Sequence, residues 1–372
     1  MSVRFVDDWP RGEAPDLTAM DGSDALAFHR AMPEYAPTPL HSLPGLARQV
    51  GVRSIWLKDE SHRFGLRAFK GLGASYAIER LLREGEPPGA LVTATDGNHG
   101  RAVAWAAARQ GLRAVVFLPE AASSGRAQAI AALGAEVRRV AGTYDTAVSA
   151  AEAAAEQHGW ALLQDSAWEG YDRVPRWVMQ GYLTMLEESL ESLGPERPTH
   201  VLLQCGVGSF AAAMTAGLVA RLGERRPRIV IVEPLGAACG LAAAREGAES
   251  PPMIEGDLHT FMACRSCGRI STLAWPILRH WADAFVAFPD ETAASGMRTL
   301  ARPAGGDPRV ESGESGAATT GALMEILGSG GELADRLALG AGSRVLLFST
   351  EGATDPEVYS RTLDLEAEAP DD

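Results

Sequence analysis

Alternating strand and helix patterns across the middle of the chain restrict its fold more than any other sequence feature. Three short segments with the pattern of strands are each followed by a helical pattern. The strands are predicted at 90–94, 114–118 and 136–140, and the helices that follow them end at Arg109, Leu133 and His158. Later strands are predicted at 201–203, 228–232, 284–288 and 345–348, whereas residues 1–23 are predicted to be irregular. This succession predicts an α/β protein with parallel sheets and helices on their faces.

The composition describes an ordinary globular protein. The 372 residues are enough for two domains with a sizeable core. The net charge of −14, with no basic cluster to offset it, argues against a surface for nucleic acid or anionic membrane. No apolar run approaches the roughly 20 residues of a membrane span. Four cysteines do not make a disulfide framework, so a cytoplasmic location is expected.

The pair Cys264-x-x-Cys267 is the one pattern that suggests a bound metal. A zinc site needs a second pair of ligands, and neither another Cys-x-x-Cys nor a closely spaced histidine pair lies nearby. No metal site is therefore predicted.

A lysine with unusual neighbours lies upstream of the alternating region. Lys70 follows a predicted strand at 54–57 and a charged turn, and stands between Phe69 and the pair Gly71-x-Gly73. We interpret the aromatic ring as a shield and the glycines as room for backbone to approach a ligand. A shielded lysine loses its proton more easily than one in water, as a Schiff-base nucleophile must. An ordinary solvated lysine at a helix start would have the same neighbours.

A glycine-containing turn follows the predicted strand at 201–203 and opens a helix. The segment Gly206-Val207-Gly208-Ser209-Phe210-Ala211 is suited to bind phosphate at the helix N-terminus. One interpretation is a dinucleotide fingerprint with Glu233 as the ribose acceptor, and another is a cradle for a single phosphate, to which Ser209 adds a hydroxyl. A nicotinamide enzyme gives Lys70 no role. Pyridoxal 5′-phosphate, an aldehyde with one phosphate, uses both the lysine and the turn.

A polar turn between the first strand and helix of the alternating region supplies further candidates. In Thr95-Asp96-Gly97-Asn98-His99-Gly100, the amide of Asn98 could donate to the phenolic oxygen of such a cofactor. The same residues also suit a simple capping turn, with Asp96 or Asn98 as the cap of the next helix.

Six motifs together resemble the diaminopropionate ammonia-lyase family, which belongs to the pyridoxal-phosphate enzymes of the tryptophan synthase β-subunit type (fold type II). They are Lys58-Asp59-Glu60-Ser61, Arg63-Phe64-Gly65-Leu66-x-Ala68-Phe69-Lys70, Thr95-Asp96-Gly97-Asn98-His99-Gly100-Arg101, Gln164-Asp165-x-Ala167-Trp168-Glu169-Gly170-Tyr171, Glu311-Ser312-Gly313-Glu314-Ser315-Gly316 and Ser349-Thr350-Glu351-Gly352. The similarity runs from about Phe28 to Pro356.

The resemblance implies two domains, each a mostly parallel sheet flanked by helices, with the cofactor in the cleft between them. Residues 1–77 and 191–372 are expected to form the large domain that anchors the cofactor, and residues 78–190 a smaller inserted α/β domain. It also implies a homodimer that acts on a small amino acid, through elimination to pyruvate and ammonia.

The same resemblance implies roles for individual residues. Lys70 would join the cofactor through an imine, and a hydroxyl of Ser349 or Thr350 would face the pyridine nitrogen, which favours elimination over transamination. Asp165 would take the α-proton of the L-isomer and Asp96 that of the D-isomer. The implied cofactor contacts are Lys70, Phe69, Asn98, Gly206, Val207, Gly208, Ser209, Ser349 and Thr350.

Carboxylates suit this substrate for a separate physical reason. 2,3-Diaminopropionate carries a second ammonium, which Asp96 and Asp165 would attract, and a carboxylate can also remove the α-proton. A base that works near neutrality needs a raised pKa, and we expect Trp168 to raise the pKa of Asp165 by desolvation. Asp165 could instead be a strand-end residue that caps the next segment.

One loop departs from the family pattern. Where the family usually carries Gly-Leu-x-Cys-Gly-Glu-Pro, this chain has Cys264-Arg265-Ser266-Cys267-Gly268-Arg269-Ile270. Arg265 and Arg269 would repel a diammonium substrate and suit an anionic β-substituent, unless both point to solvent. Arg269 is therefore a candidate substrate contact, and Arg67 replaces a small amide common in the family.

The altered loop keeps other interpretations open. The chain could be an eliminase or β-replacement enzyme for another β-substituted alanine, or a cofactor-binding protein without catalytic activity. Cys239 and Cys267 occupy positions where family members can have cysteines. A bridge between them is conceivable, but it should not persist in a reducing cytoplasm.

Overall fold

Two sheets organise the computed structural model, which describes residues 3–85, 88–95, 97–254, 256, 258–262, 267–328 and 331–364. The strands are β1 Arg4–Val6, β2 Leu40–Ser42, β3 Ser54–Asp59, β4 Leu91–Ala94, β5 Ala114–Pro119, β6 Glu136–Val140, β7 Ala161–Leu162, β8 His200–Gln204, β9 Arg228–Pro234, β10 Ala284–Phe288 and β11 Arg344–Ser349. The α-helices are α1 Ser23–Arg30, α2 Pro44–Val50, α3 Lys70–Glu84, α4 Asn98–Arg109, α5 Ser124–Ala131, α6 Tyr144–His158, α7 Arg173–Leu193, α8 Ser209–Leu222, α9 Cys239–Glu246, α10 Ala274–Trp281, α11 Asp290–Ala301, α12 Glu314–Gly328, α13 Glu332–Arg336 and α14 Pro356–Asp364.

Both sheets are mostly parallel, as predicted. The larger has the strand order β1-β10-β9-β8-β11-β3-β2 and the smaller the order β6-β5-β4-β7. Only the edge strands β1 and β2 run antiparallel to their neighbours, β10 and β3. The prediction of irregular structure over residues 1–23 is wrong at Arg4–Val6, where Phe5 pairs with Val286. A three-residue strand is too short to show alternation, and its pairing partner lies some 280 residues away in the chain.

The two sheets use different parts of the chain. All strands of the smaller sheet lie within residues 91–162, whereas the strands of the larger sheet come from before and after that segment. An inserted domain has this arrangement. The limits set from sequence, 78–190 for the inserted domain with 1–77 and 191–372 around it, stay a prediction.

The central strands of the larger sheet are apolar and buried on both faces. β8 and β10 are buried along their whole length, and β9 and β11 are buried after their first residue. Strands of parallel sheets are apolar along their length because helices cover both faces of the sheet. One of the covering helices, α8, is itself buried at every position from Ser209 to Leu218, so the turn before it is held rigidly. Of the helices in the described part of the chain, none has the length and hydrophobicity to cross a membrane.

Close packing of α3 on α7 fixes the helix that begins at Lys70. A Cβ at Gly73 would lie 2.5 Å from a ring carbon of Tyr182, and a Cβ at Gly181 would lie 2.5 Å from the carbonyl oxygen of Leu72. A Cβ at Gly71 would come within 2.9 Å of the Phe64 ring. These glycines therefore allow close packing around the start of α3, and the approach of a ligand there stays a prediction.

Candidate active site

A cavity lies where α3 begins, β8 ends and β11 ends, with α4 of the other sheet region on its remaining side. Its lining residues are Phe69, Lys70, Asn98, Gln204, Gly206, Val207, Gly208, Ser209, Phe210, Ala211, Ser315, Thr350 and Glu351. Every cofactor contact implied by the family resemblance is among them, except Ser349. Segments far apart in sequence thus meet around one space at the carboxyl ends of parallel strands, where ligands of α/β proteins bind.

Lys70 is held at this cavity by a carboxylate and two aromatic rings. Its Nζ donates a hydrogen bond to Oδ2 of Asp165, and lies 5.3 Å from the ring centre of Phe69 and 5.8 Å from that of Tyr182. The side chain is 19% exposed. Ring faces attract cations, so the rings and the carboxylate together hold the ammonium of Lys70 at the cavity.

Asp165 follows β7 and is buried against Lys70. Burial alone would raise the pKa of Asp165, but the charge of Lys70, with a smaller contribution from His99, holds that pKa well below its usual range. The expectation of a raised pKa is therefore wrong. The ring of Trp168 stacks on Tyr171, at 4.5 Å between centroids. The charge and hydrogen bond of Lys70, together with His99, lower the pKa of Asp165 by more than desolvation raises it. Asp165 is ionised near neutral pH, the state that a base requires.

Asn98 opens α4, and its amide is oriented by a carboxylate from the larger sheet. Its Nδ2 donates to Oε2 of Glu351, whose Oε1 accepts the backbone N–H of Ser315 at 3.0 Å. Sequence reasoning quoted Glu351 within a motif without assigning it a role. Its position two residues after the end of β11, where cavity residues of a parallel sheet lie, was the available signal. Asp96, the predicted partner of Asp165, lies outside the described residues.

The turn that opens α8 has the geometry of an anion cradle. Gly208 has φ 90°, a conformation that residues with side chains rarely adopt. The first backbone N–H groups of α8, which begins at Ser209, lack partners within the helix and lie at its positive end. The hydroxyl of Ser209 donates to the backbone carbonyl of Asp165, which ties the cradle to the residue beside Lys70.

The dinucleotide interpretation of this turn fails at Glu233. The carboxylate is buried, and its oxygens accept the backbone N–H groups of Gly240 at 2.7 Å and Leu241 at 2.8 Å. Glu233 therefore caps the start of α9 and is not turned toward a ribose.

The structure separates the two hydroxyls that sequence left as alternatives. Thr350 lines the cavity, whereas Ser349 donates to the hydroxyl oxygen of Ser312 at 2.7 Å. Nε2 of Gln204 donates to Oγ1 of Thr350 at 2.9 Å and so fixes its side chain. Gln204 was missed by sequence reasoning, although it ends β8 directly before the glycine turn.

Of the loop that departs from the family pattern, the described residues 267–270 do not line this cavity. Arg269 is exposed, and its Nε donates to the carbonyl of Pro251 at 3.0 Å. Arg265 and Cys264 lie outside the described residues. Cys239 and Cys267 are free thiols, and a hydrogen bond with Cys267, followed by burial, raises the pKa of Cys239. Within the described ranges, no three His, Cys, Asp or Glu side chains are grouped to hold a metal ion.

These features fit a phosphorylated aldehyde. An amine stands on one side of the cavity and a helix N-terminus with a left-handed glycine on the other, while an amide and a hydroxyl lie between them. Pyridoxal phosphate presents groups that need this set of partners: an aldehyde, a phosphate, a phenolic oxygen and a ring nitrogen.

Comparison with known proteins agrees with this geometry. A family model described as pyridoxal-phosphate dependent enzyme matches residues 31–351. Diaminopropionate ammonia-lyase of Salmonella typhimurium is 44% identical over 91% of this chain and 90% of its own length, and that of Escherichia coli is 42% identical over 90% and 89%.

Solved structures give the same result. A crystal structure of holo diaminopropionate ammonia-lyase from Escherichia coli superposes with a TM-score of 0.92 at 39% identity, and covers 99% of each chain. Another, in complex with an aminoacrylate-PLP azomethine reaction intermediate, gives a TM-score of 0.90. The fold is also similar to that of a threonine deaminase from Solanum lycopersicum, with a TM-score of 0.77 at 21% identity. The chain therefore belongs to the pyridoxal-phosphate-dependent enzymes of fold type II, and among them to the diaminopropionate ammonia-lyase family.

Proposed function

We propose that this protein eliminates ammonia from 2,3-diaminopropionate and yields pyruvate and a second ammonia. The observation that carries the proposal is the single cavity in which Lys70, paired with Asp165, faces the N-terminus of α8. The relatives named diaminopropionate ammonia-lyase match this chain over nine-tenths of its length, so the proposal covers the whole activity.

The cavity residues divide the task of holding the cofactor. Lys70 would bind its aldehyde carbon, and the turn from Gly206 to Ser209 its phosphate. The amide of Asn98, oriented by Glu351, would bind the ring oxygen, and the hydroxyl of Thr350 would face the ring nitrogen. Bound pyridoxal phosphate supplies an electron-withdrawing ring that stabilises the negative charge left when the α-proton is removed.

The carboxylates supply recognition and proton transfer. Asp165 is ionised, buried and adjacent to Lys70, so it can accept the α-proton of the L-isomer. We assign the D-isomer to Asp96 on the resemblance alone. The negative charges of Asp165 and Glu351 beside the cavity favour a substrate with two ammonium groups over one with an anionic β-substituent.

A panel of β-substituted amino acids tests the proposal. Purified holoenzyme should release two molecules of ammonia per pyruvate from either isomer of diaminopropionate, but only one per pyruvate from serine or another β-substituted alanine without a β-amine. The kcat/KM for diaminopropionate should be the highest in the panel. A higher value for an anionic β-substituted alanine would favour the rival eliminase, and no product from any member would favour a silent cofactor-binding protein.

We also propose a homodimer in the cytoplasm. The compartment rests on the cysteine content, because four cysteines do not make a disulfide framework. The dimer rests on the family resemblance, and the molar mass measured by light scattering during size-exclusion chromatography tests it.

A further inference from the structure

His99 lies beside Asp165 with one ring nitrogen bonded and the other not. Its Nε2 is 2.9 Å from the carbonyl oxygen of Leu163, and its Nδ1 is 3.8 Å from Oδ2 of Asp165. Nδ1 is buried and has no hydrogen-bond partner among the residues that the structure describes. Oδ2, the atom that faces it, also accepts the hydrogen bond from Lys70. Buried polar atoms are usually paired, so an unpaired one beside a predicted base requires an explanation.

The carbonyl of Leu163 decides which nitrogen of His99 carries the proton. A carbonyl only accepts hydrogen bonds, so Nε2 must be protonated, and Nδ1 of the neutral ring presents a lone pair to Asp165. Burial lowers the pKa of His99 below its usual value, and the ring is therefore neutral near neutral pH. A lone pair and an ionised carboxylate share no proton and cannot form a hydrogen bond. A single added proton would join them.

We propose that His99 is the positioning residue that accepts a hydrogen bond from Asp165 once Asp165 has taken the α-proton, an inference that rests on the proposed function. The α-carbon–hydrogen bond breaks, and the proton passes to Oδ2. The electron pair left on the α-carbon then forms the new carbon–carbon double bond as the β-carbon–nitrogen bond breaks. The β-ammonium leaves as neutral ammonia with the electron pair of the carbon–nitrogen bond. The new O–H of Asp165 then donates to Nδ1 of His99.

This arrangement explains how a carboxylate that Lys70 stabilises can still act as a base. In the cofactor-free site the ammonium of Lys70 favours the ionised form of Asp165. The lone pair of Nδ1 stabilises the protonated form of Asp165, and this hydrogen bond begins to form as the proton moves onto Oδ2. An interaction that is stronger in the transition state than in the ground state lowers the barrier, whereas one of equal strength in both does not.

Two variants of the holoenzyme separate this role from simple packing. In His99→Gln, the longer amide can keep the bond to Leu163 but leaves no acceptor toward Asp165. In His99→Asn, the amide oxygen takes the position of Nδ1 and can accept from Asp165. We expect the L-to-D ratio of kcat/KM to fall roughly tenfold in His99→Gln, below the 10²–10⁴ that a whole general base contributes. His99→Asn should recover part of that loss.

A kinetic isotope effect adds a readout that packing would not change. With α-deuterated L-diaminopropionate, the isotope effect on kcat/KM should rise in His99→Gln, because removal of the α-proton becomes slower relative to other steps. Equal losses for the two isomers with an unchanged isotope effect would overturn the proposal.

Nuclear magnetic resonance of ring-¹⁵N-labelled histidine tests the contact without turnover. With the His99 signals identified by their absence in His99→Gln, the purified protein at pH 7 should show protonated Nε2 and bare Nδ1. Asp165→Asn should shift the Nδ1 signal, since its amide N–H can donate to the lone pair. A protonated Nδ1, or no shift in Asp165→Asn, contradicts the inference. If wild-type protein forms no pyruvate from either isomer, the proposed function fails, and this measurement still decides the contact.

Discussion

Two buried clusters of charge lie near each other in the chain and differ in how completely their groups are bonded. In the first, Glu188 of α7 accepts from Nζ of Lys58 at 2.5 Å and from two guanidinium nitrogens of Arg63 at 2.9 and 2.7 Å. Arg63 also binds both oxygens of Glu60, and Tyr35 donates to Glu188 at 2.9 Å. Although burial raises the pKa of Glu188, the hydrogen bonds and charge of Arg63 lower it to about 2.

The second cluster, Lys70, Asp165 and His99, is bonded incompletely. Nδ1 of His99 is unpaired among the described residues, and Lys70 borders a cavity. A saturated cluster has one stable state of protonation and bonding, so it can fix a segment but cannot exchange a proton. An incomplete cluster can accept a proton or a ligand atom without losing a bond. Both clusters are buried and charged, so it is the completeness of their bonding that matches the structural role we propose for the first and the catalytic role we propose for the second.

Replacing Lys70 should have the largest effect on activity. Lys70→Ala should lower kcat/KM for diaminopropionate by at least about 10⁴-fold, because the covalent attachment of the cofactor is lost. The visible absorbance of a cofactor bonded to lysine should disappear from the spectrum. Lys70→Arg is the matched control, since it keeps a cation beside Asp165 but cannot form the bond. Retention of a tenth of wild-type activity by Lys70→Arg would mean that charge alone is needed.

Breaking the saturated cluster should lower stability instead. Glu188→Gln leaves Lys58 and Arg63 buried without their shared counter-charge, which should cost about 3–5 kcal/mol in the free energy of unfolding. Urea denaturation followed by circular dichroism measures it. The control lies three residues further along α7, where Glu191 pairs with Arg30 and both side chains are half exposed. Glu191→Gln should cost less than about 1 kcal/mol.

The activity of Glu188→Gln tests whether the first cluster is structural only. The kcat/KM of folded Glu188→Gln should stay within a few-fold of wild type, because Glu188 does not line the cavity. A large loss of activity with unchanged stability would give the saturated cluster a direct part in catalysis.

A second buried histidine, His29, has both ring nitrogens bonded, unlike His99, and its effect is expected in the pH dependence of stability. Nδ1 of His29 bonds to Oγ1 of Thr184 at 2.7 Å, and Nε2 to the carbonyl of Leu72 at 3.0 Å. Burial, with a smaller effect from Arg63, lowers the pKa of His29 to about 3. The unfolded chain therefore binds a proton at this histidine from about pH 6.5 downward while the folded protein does not. Stability is then lost as pH falls from 6.5 toward 3.

At pH 5 protonation of His29 in the unfolded chain lowers the free energy of unfolding by about 2 kcal/mol, because each pH unit below the unfolded pKa costs about 1.36 kcal/mol. His29→Gln cannot titrate. The difference in unfolding free energy between pH 7 and pH 5 should therefore be smaller in His29→Gln than in wild type by about that amount. An unchanged difference would show that another group controls the loss of stability in acid.

Local patterns in the sequence were enough to predict the main elements and the residues at strand ends. Lys70 begins α3 and the turn from Gly206 to Ser209 opens α8, as expected, because strand, turn and helix signals there lie within a few residues of each other. Arg67 has φ 56°, a conformation that asparagine and glycine adopt more easily. β1 escaped prediction because its stability depends on pairing with a distant strand.

Properties that depend on neighbours from distant segments could not be read from the sequence. The pKa of Asp165 was predicted in the wrong direction, because Lys70, 95 residues earlier, outweighs the effect of burial. The contact of Glu351 with Asn98 joins segments that are 253 residues apart. The unpaired Nδ1 of His99 likewise becomes visible only when both sides of the ring are in place. Residue types at the site were predictable, whereas their charge states and pairing were not.

Replacing Arg269 should have the smallest effect on KM, and it tests directly whether the loop that departs from the family pattern acts on the substrate. The sequence predicts that its charge acts on the substrate, but the side chain is exposed and bonded to the carbonyl of Pro251. Exposed charges are screened within about 10 Å at ordinary salt. Arg269→Ala and the charge reversal Arg269→Glu should therefore both change KM for diaminopropionate less than about twofold, since most surface substitutions act weakly. If the arginine did repel a diammonium substrate, Arg269→Glu would lower KM severalfold at low salt and lose that advantage at high salt. Such a salt-dependent decrease in KM would show that the charge of Arg269 acts on the substrate.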